Sequence, residues 1–574
     1  MKSLIKLSNK FLLLVIIIFS LTLRIVGLNW DQNQHLHPDE RFLTMVVGAL
    51  YWPNNLSSYL NPSISTLNPN NQGYDFFVYG TLPTTINKRL SQILILDNYS
   101  YNNIALTGRL LSVLFDVGVL FLVYKISNLI FNEKTALLSA FVYATLVLPI
   151  QLSHFFTVDP PLTFFMTLSL FFLLKTVKSK NIIYPALTGL SLGAAFACKV
   201  SAILFVPIVL LGYLIHLTKQ KKFSLTVSCL LLTAIIAYLA YRFLDPHVFS
   251  NNLFVPKINL NFLNNLKQLQ NFSDPDTYFP PNVQWIKINP VFFSLKNIFI
   301  WGIGIPQTLL LTGGFVYLSM GILKKLAKIF RRKFSINNLK TLSIEELQIF
   351  LLISSITILT GYQSIQSAPS MRYFYPAYPL YAIVIAYFSI KHLFPLMKNN
   401  YLLLTAYYLL LLVWPLSFVQ IYSRPHSRVS ASAWIYKYIP EGSTVSCEYW
   451  DDCLPLTLNV TNYAQKYKTE TLELFNPESR EKWEKINSQL KSIDYLILSS
   501  NRLWGSIPKV PEKYPITSKF YNDLFNGKLQ FIKVAEITSY PTIPFVNIPI
   551  PDDRSEEAFT VYDHPKVIIY KRIK

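Results

Sequence analysis

The stretch LLLTAYYLLLLV, residues 402–413, carries no charged side chain, and FLLLVIII at 11–18 and FVPIVLLGYLI at 205–215 read the same way. A bilayer core of about 30 Å takes about 20 largely apolar residues per helix, and these blocks with their flanks supply that length. Over 574 residues, 52% are apolar and only 14% charged, a balance unlike that of a soluble chain. The expected fold class is therefore a polytopic α-helical membrane protein. Hydropathy sets about eleven spans: 11–29, 104–124, 136–151, 160–174, 182–198, 200–217, 224–241, 297–322, 346–362, 373–390 and 401–420. The first block follows Lys2, Lys6 and Lys10 as a signal peptide would. No small-residue cleavage site comes after it and Arg24 interrupts it, so it reads as an uncleaved span.

A formal net charge of +21 would suit nucleic acid, but the Lys and Arg residues gather at the ends of apolar blocks. That placement fits membrane lipid headgroups and topology control, and no nucleic-acid partner is expected. With the N-terminus cytoplasmic, the segments around Lys175/Lys178/Lys180, Lys219/Lys221/Lys222 and Lys324–Lys333 fall inside. Lys and Arg are about fourfold denser there than in the outer loops, as the positive-inside rule requires.

An odd number of spans then places the tail outside the cell membrane. The expected division is a membrane domain over 1–423, with long outer loops at 31–103 and 242–296, and an extracytoplasmic domain over 424–574. Within the tail, 427–438 reads as a helix, and 444–448, 495–499, 529–537 and 567–570 read as strands, giving a small α/β unit. Cys447 and Cys453 flank Glu448-Tyr449-Trp450-Asp451-Asp452, where either a disulfide or two free thiols would fit. Cys198 and Cys229 sit in apolar blocks as packing residues, and no cysteine spacing suggests zinc. Asn459-Val460-Thr461 matches a glycosylation pattern too short to carry weight.

The residues that could do chemistry cluster at the outer ends of spans. Asn29-Trp30-Asp31-Gln32-Asn33-Gln34-His35-Leu36-His37-Pro38-Asp39-Glu40-Arg41-Phe42 sets adjacent carboxylates beside histidines just past the first span. Such a pair suits proton abstraction and acceptor binding. The same residues also read as a helix start, with proline at the first position and acids against the dipole. His154-Phe155-Phe156-Thr157-Val158-Asp159-Pro160-Pro161 is the next outer turn, where Asp159 reads either as an N-cap or as a functional acid. Lys199 occupies a tight outer turn and Arg372 is the lone charge of another. Charge near the hydrocarbon costs about 2.5–3.5 kcal/mol, so both are candidates to hold a leaving phosphate, with interfacial anchoring as the alternative. Arg24, Arg109 and Asp116 lie within spans and read as an internal ion pair or network. His247 opens the later long loop, where an ordinary loop histidine is the simpler reading.

A first span, a long outer loop opening with Asp39-Glu40, and Asp159 at the next outer turn together resemble the GT-C superfamily of membrane glycosyltransferases. The branch resembled is the protein O-mannosyltransferase and lipid A aminoarabinose transferase group, glycosyltransferase family 39. Lys199 and Arg372-Tyr373-Phe374-Tyr375-Pro376-Ala377-Tyr378-Pro379 are similar to features of that group. The resemblance covers roughly 1–420. It implies a polyprenyl-phosphate sugar donor, a lipid, glycan or protein acceptor, and inverting transfer at the outer face. It makes Asp39 and Glu40 the catalytic candidates, with Asp39 as base. Asp159, Lys199, Arg372, His154, Arg41 and His247 would bind substrate. Some relatives hold a divalent metal, but no ligand set stands out here, so no cofactor is expected. The rival readings are a lipid-linked glycan transporter or flippase, a glycan polymerase or ligase, and a non-catalytic assembly protein. A transporter would show paired repeats with broken helices, which the sequence does not display.

Overall fold

A computed structural model describes residues 2–94, 100–220, 222–250, 257–272, 279–330, 341–398, 400–458 and 466–573. The glycosylation pattern at 459–461, and Lys221 and Arg331–Lys333 of the inner basic segments, lie outside the described residues. Among the described residues nine helices are long and apolar enough to cross a bilayer, from Ser8–Ile25 to Tyr401–Val419. Phe11, Leu14, Leu214, Leu309 and Leu402 are all exposed on them. Such an apolar belt belongs against lipid rather than water.

Two of the eleven expected spans take another form. The third is the pair Glu133–Ala144 and Val147–Ser153, bent by 57°. Pro149 explains the break: it has no N–H to donate and its ring crowds the carbonyl four residues back, at Thr145, where the first helix ends. The fifth is the 14-residue helix Ile183–Phe196, shorter than a full span. It lies close along Phe223–Leu244, because a Cβ on Gly189 or Gly193 would collide with the backbone at Thr233 or Ala237. Small residues four apart let two helix backbones meet.

After Val419 the chain builds a mixed sheet. Strands β1 (Thr444–Glu448), β2 (Lys468–Leu472), β3 (Tyr495–Leu498) and β4 (Phe531–Ile537) precede a small hairpin, β5 (Thr542–Ile543) and β6 (Ile548–Pro549), and a final strand β7 (Val567–Arg572). The sheet order is β2-β1-β3-β7-β4; β1 runs parallel to β2 and β3, and β7 runs antiparallel to β3 and β4. Helices Arg480–Ser492 and Pro515–Phe525 contribute Trp483, Ile486, Phe520 and Leu524 to the core against it. Strand β2 and both of these helices lack the strong apolar pattern that marks the rest, and the sequence reading does not include them. Cys447 and Cys453 are disulfide-bonded.

The two parts are locked together by buried polar contacts. His564 lies between Asp552 (Nε2 to Oδ2, 2.7 Å) and Asp563 (Nδ1 to Oδ1, 2.5 Å). Asp563 in turn accepts from Gln151 at 3.0 Å and Tyr422 at 2.9 Å, on the membrane side. Burial would lower the His564 pKa, but the two carboxylates raise it to about 10, so it is a cation at neutral pH.

Candidate active site

The helix Pro38–Ala49 starts at the sequence His37-Pro38-Asp39-Glu40. The His37 ring is its cap, with Nδ1 accepting from Asp39 N at 3.2 Å and Glu40 N at 3.4 Å. Burial holds the His37 pKa down to about 4, which keeps the ring neutral and able to accept. Pro38 fills the first helical position, as the sequence predicts.

From this start, Asp39 and Glu40 turn to different neighbours. Asp39 Oδ2 forms an ion pair with Arg372, and the two side chains retain 22% and 24% exposure. Burial alone would raise the Asp39 pKa; the Arg372 guanidinium and His37 outweigh it and bring it to about 2. Glu40 is fully buried. Its Oε2 accepts from Arg109 Nε at 2.9 Å and Phe156 N at 2.8 Å, and its Oε1 from Arg109 at 2.6 Å. The same guanidinium grips Asp31 at 3.0 and 2.7 Å and packs over the Trp30 ring. Glu40, expected beside Asp39 at the site, is instead enclosed with Arg109 and Asp31 and does not line the cavity of Lys199 and Arg372.

Lys199 meets Asp159, with Nζ to Oδ1 at 2.8 Å. Asp159 does not cap: helix Asp159–Lys178 begins at this residue, Val158 precedes it with no side-chain cap bond, and the carboxylate turns to Lys199. Tyr373 connects the two pairs, its ring 4.8 Å from Lys199 Nζ and 5.3 Å from the Arg372 guanidinium carbon. The Lys199 turn is held by a passing segment of the first long loop, where Gly80 N donates to Cys198 O at 2.9 Å and Leu82 N to Ala197 O at 3.1 Å. Gly80 is required there, since a Cβ would strike the Ala197 carbonyl.

These residues open on a cavity of about 380 Å³. Tyr79, Asp159, Lys199, Arg372 and Tyr373 line it, with Gln363 and Gln366, alongside the apolar Leu162, Met166, Ile203, Leu204 and Leu359. Two cations beside a slot lined by membrane-helix side chains are suited to a phosphate carrying a hydrocarbon chain. The Arg372 turn is supported from the C-terminal part, where buried Glu556 accepts from Ser370 Oγ at 2.7 Å and Met371 N at 2.6 Å.

The remaining expected residues lie elsewhere. His154 is buried, with Nδ1 2.8 Å from Ile150 O and its ring stacked on Tyr422, and it does not line the cavity. His247 is buried beside Tyr59 and does not line the cavity. Arg41 turns to Asp452 at 3.0 Å. Arg24 pairs with Asp116, as the span-internal network anticipates. Nothing in the sequence marks Tyr79 or Glu556 for this place, whereas Tyr373 stands next to Arg372 in the quoted motif. Among the described residues no three His, Cys, Asp or Glu side chains are grouped as a metal would need. Asp159, the one acid lining the cavity among the described residues, is engaged by Lys199, and Asp39 next to it by Arg372, a donor set that does not fit a divalent ion.

The family model for dolichyl-phosphate-mannose-protein mannosyltransferase matches residues 102–242. No curated protein matches the sequence. The oligosaccharyltransferase of Archaeoglobus fulgidus, solved with a tethered acceptor peptide, is similar at TM-score 0.53 and 11% identity, over 98% of this chain and 88% of that one. The chain has the GT-C fold. A second structure of that enzyme, with an inhibitory peptide and a dolichol-phosphate, is similar at TM-score 0.50 and 12% identity, over 99% and 89%. ArnT from Cupriavidus metallidurans is similar at TM-score 0.45 and 12% identity, over 97% of each chain. Its nine apolar helices of spanning length, among the described residues, make the chain a multi-pass membrane protein.

Proposed function

We propose that this chain is a membrane glycosyltransferase that moves a sugar from a polyprenyl-phosphate donor to an acceptor hydroxyl, with Asp39 as general base. The observation that carries the reading is the meeting of Asp39–Arg372 and Asp159–Lys199 around Tyr373, where Arg372, Asp159, Lys199 and Tyr373 line a cavity shared with apolar side chains of the membrane helices. The GT-C fold supports it, as does the dolichol-phosphate bound by the archaeal enzyme. The active face is the outer one, with the N-terminus cytoplasmic and 424–574 extracytoplasmic; the charge asymmetry of the loops supports this.

The reaction follows from the charges. A donor phosphate competes with Asp39 for Arg372, and a carboxylate released from its guanidinium becomes more basic. Asp39 then takes the acceptor O–H proton as the acceptor oxygen bonds to the anomeric carbon. The bond from that carbon to the phosphate oxygen breaks on the opposite face, inverting the centre. The lipid phosphate leaves with the electron pair, and Arg372 and Lys199 stabilise its charge. Asp159 holds Lys199 in place.

Purified protein given a radiolabelled polyprenyl-phosphate sugar and compared with its Asp39→Asn variant tests this. Transfer or sugar release by the wild type alone supports the base; full turnover by the variant removes Asp39 from the role. Lipid movement across a vesicle without bond cleavage favours the flippase. A glycan polymerase or ligase would share the cavity and be separated by its product.

A further inference from the structure

The Asp39 turn also borders a second cleft, of about 370 Å³, that belongs half to the membrane part and half to the C-terminal part. Arg41, Phe42 and Met45 of helix Pro38–Ala49 form one wall, and Trp450, Arg502 and Tyr562 stand on the other. Tyr562 connects the cleft to the site already described: its ring packs on His37, the cap of the Asp39 helix, with centroids 4.4 Å apart.

Three features define what the cleft can hold. The first is charge balance. Asp452 is shared between Arg41 at 3.0 Å and Arg428 at 2.7 Å; Asp451 pairs with Arg428; and Arg502 pairs with Glu557 at 2.6 Å. Three guanidiniums thus meet three carboxylates, and a charged ligand would find no uncompensated partner. The second is a dense set of polar groups held in fixed positions, suited to ligand hydroxyls that both donate and accept.

The third is a tryptophan held outward. Trp450 is 37% exposed and has φ +82°, a region that a bulky side chain rarely occupies. Its loop is closed by the Cys447–Cys453 disulfide, and its carbonyl accepts from Arg502 at 2.8 Å. Such strain persists only where the surroundings over-determine it, and it concentrates at ligand sites. A constrained indole presents a flat apolar face at little entropic cost.

We infer that this cleft is a subsite for a neutral sugar ring, stacked on Trp450 and hydrogen-bonded by the Arg and Asp side chains around it. Given the transferase reading, on which this assignment of role rests, the subsite holds the acceptor, and the acceptor is a carbohydrate. Its place beside the Asp39 turn puts an acceptor hydroxyl on the approach to the base.

Saturation-transfer NMR on the full chain in nanodiscs tests the subsite with no sugar donor present, so its outcome is separate from whether Asp39 catalyses transfer. The probes are methyl α-mannopyranoside, methyl β-glucopyranoside and lactose as neutral glycosides, glucose 1-phosphate as a charged one, and a Ser/Thr peptide. Ring protons of at least one neutral glycoside saturate in the wild type. The Kd for that glycoside rises about tenfold in Trp450→Ala, recovers in Trp450→Phe, and rises in Met45→Arg, which crowds the opposite wall. Trp450 and Met45 are both exposed, so these variants fold. No saturation of any neutral glycoside, an unchanged Kd in Trp450→Ala and Met45→Arg, tighter binding of glucose 1-phosphate, or saturation of the peptide alone would each overturn the inference.

Discussion

Arg109 and Arg372 hold neighbouring carboxylates of one helix start, Glu40 and Asp39, yet the two pairs have little else in common. Arg109 and its partners are about 1% exposed or less, and four hydrogen bonds to two carboxylates leave the guanidinium no freedom. Arg372 and Asp39 make one ion pair at a cavity edge and keep roughly a quarter of their surfaces open. A fully enclosed pair cannot exchange partners without leaving a bare charge in the interior, whereas a rim pair can give one partner to an incoming anion. Burial, rather than residue type, therefore separates the fixed pair from the exchangeable one.

The comparison is most easily broken at Arg109. Arg109→Ala leaves Asp31 and Glu40 enclosed without a counter-charge, and about 3–5 kcal/mol of stability is lost. Size-exclusion profiles and melting in detergent should show little folded protein. Removing Asp39 instead should leave the fold intact, and Asp39→Asn should cut sugar transfer by about 10²–10⁴-fold. Arg372→Ala and Lys199→Ala should each weaken lipid-phosphate binding by about tenfold or more, as loss of a charge-assisted contact does. Unchanged affinity in both variants would take the cations out of the donor site.

The enclosed His564 cluster sharpens the contrast through pH. Its pKa is raised from 6.5 to about 10, so the folded state holds the proton more tightly than the unfolded chain. That contribution is full below pH 6.5 and is lost as pH rises through about 10. Wild-type melting temperature should fall over that window, and His564→Gln should remove the slope. Asp39, lowered from 3.8 to about 2, contributes stability present above pH 3.8 and lost as pH falls toward 2, so it adds no slope above about pH 5.

Apolar runs longer than a soluble helix needs made the membrane architecture legible, and so did the positions of Asp39, Asp159, Lys199 and Arg372 at span ends. What the sequence could not resolve was phase and distance. Successive residues on a helix point about 100° apart, so adjacent Asp39 and Glu40 face different surroundings, and only the packing of Arg109 from another helix decides which is enclosed. Asp159 fits the pattern of a cap, but Lys199, 40 positions later, claims its carboxylate. Glu556 supports the Arg372 turn from a tail with no sequence link to it. Strands β1, β3, β4 and β7 were readable from runs of apolar and β-branched residues, whereas β2, and helix Arg480–Ser492, which buries only Lys482, Trp483 and Ile486, offered little apolar pattern.

The division of labour between neighbouring acids is tested most directly by preparing Asp39→Asn and Glu40→Gln side by side and measuring both melting temperature and sugar transfer per folded molecule. The account predicts that Asp39→Asn loses no more than the stability of one rim ion pair and transfers almost nothing, while Glu40→Gln melts further below the wild type and its folded fraction still transfers. Equal loss of turnover per folded molecule in the two variants, or an active Asp39→Asn, would contradict it.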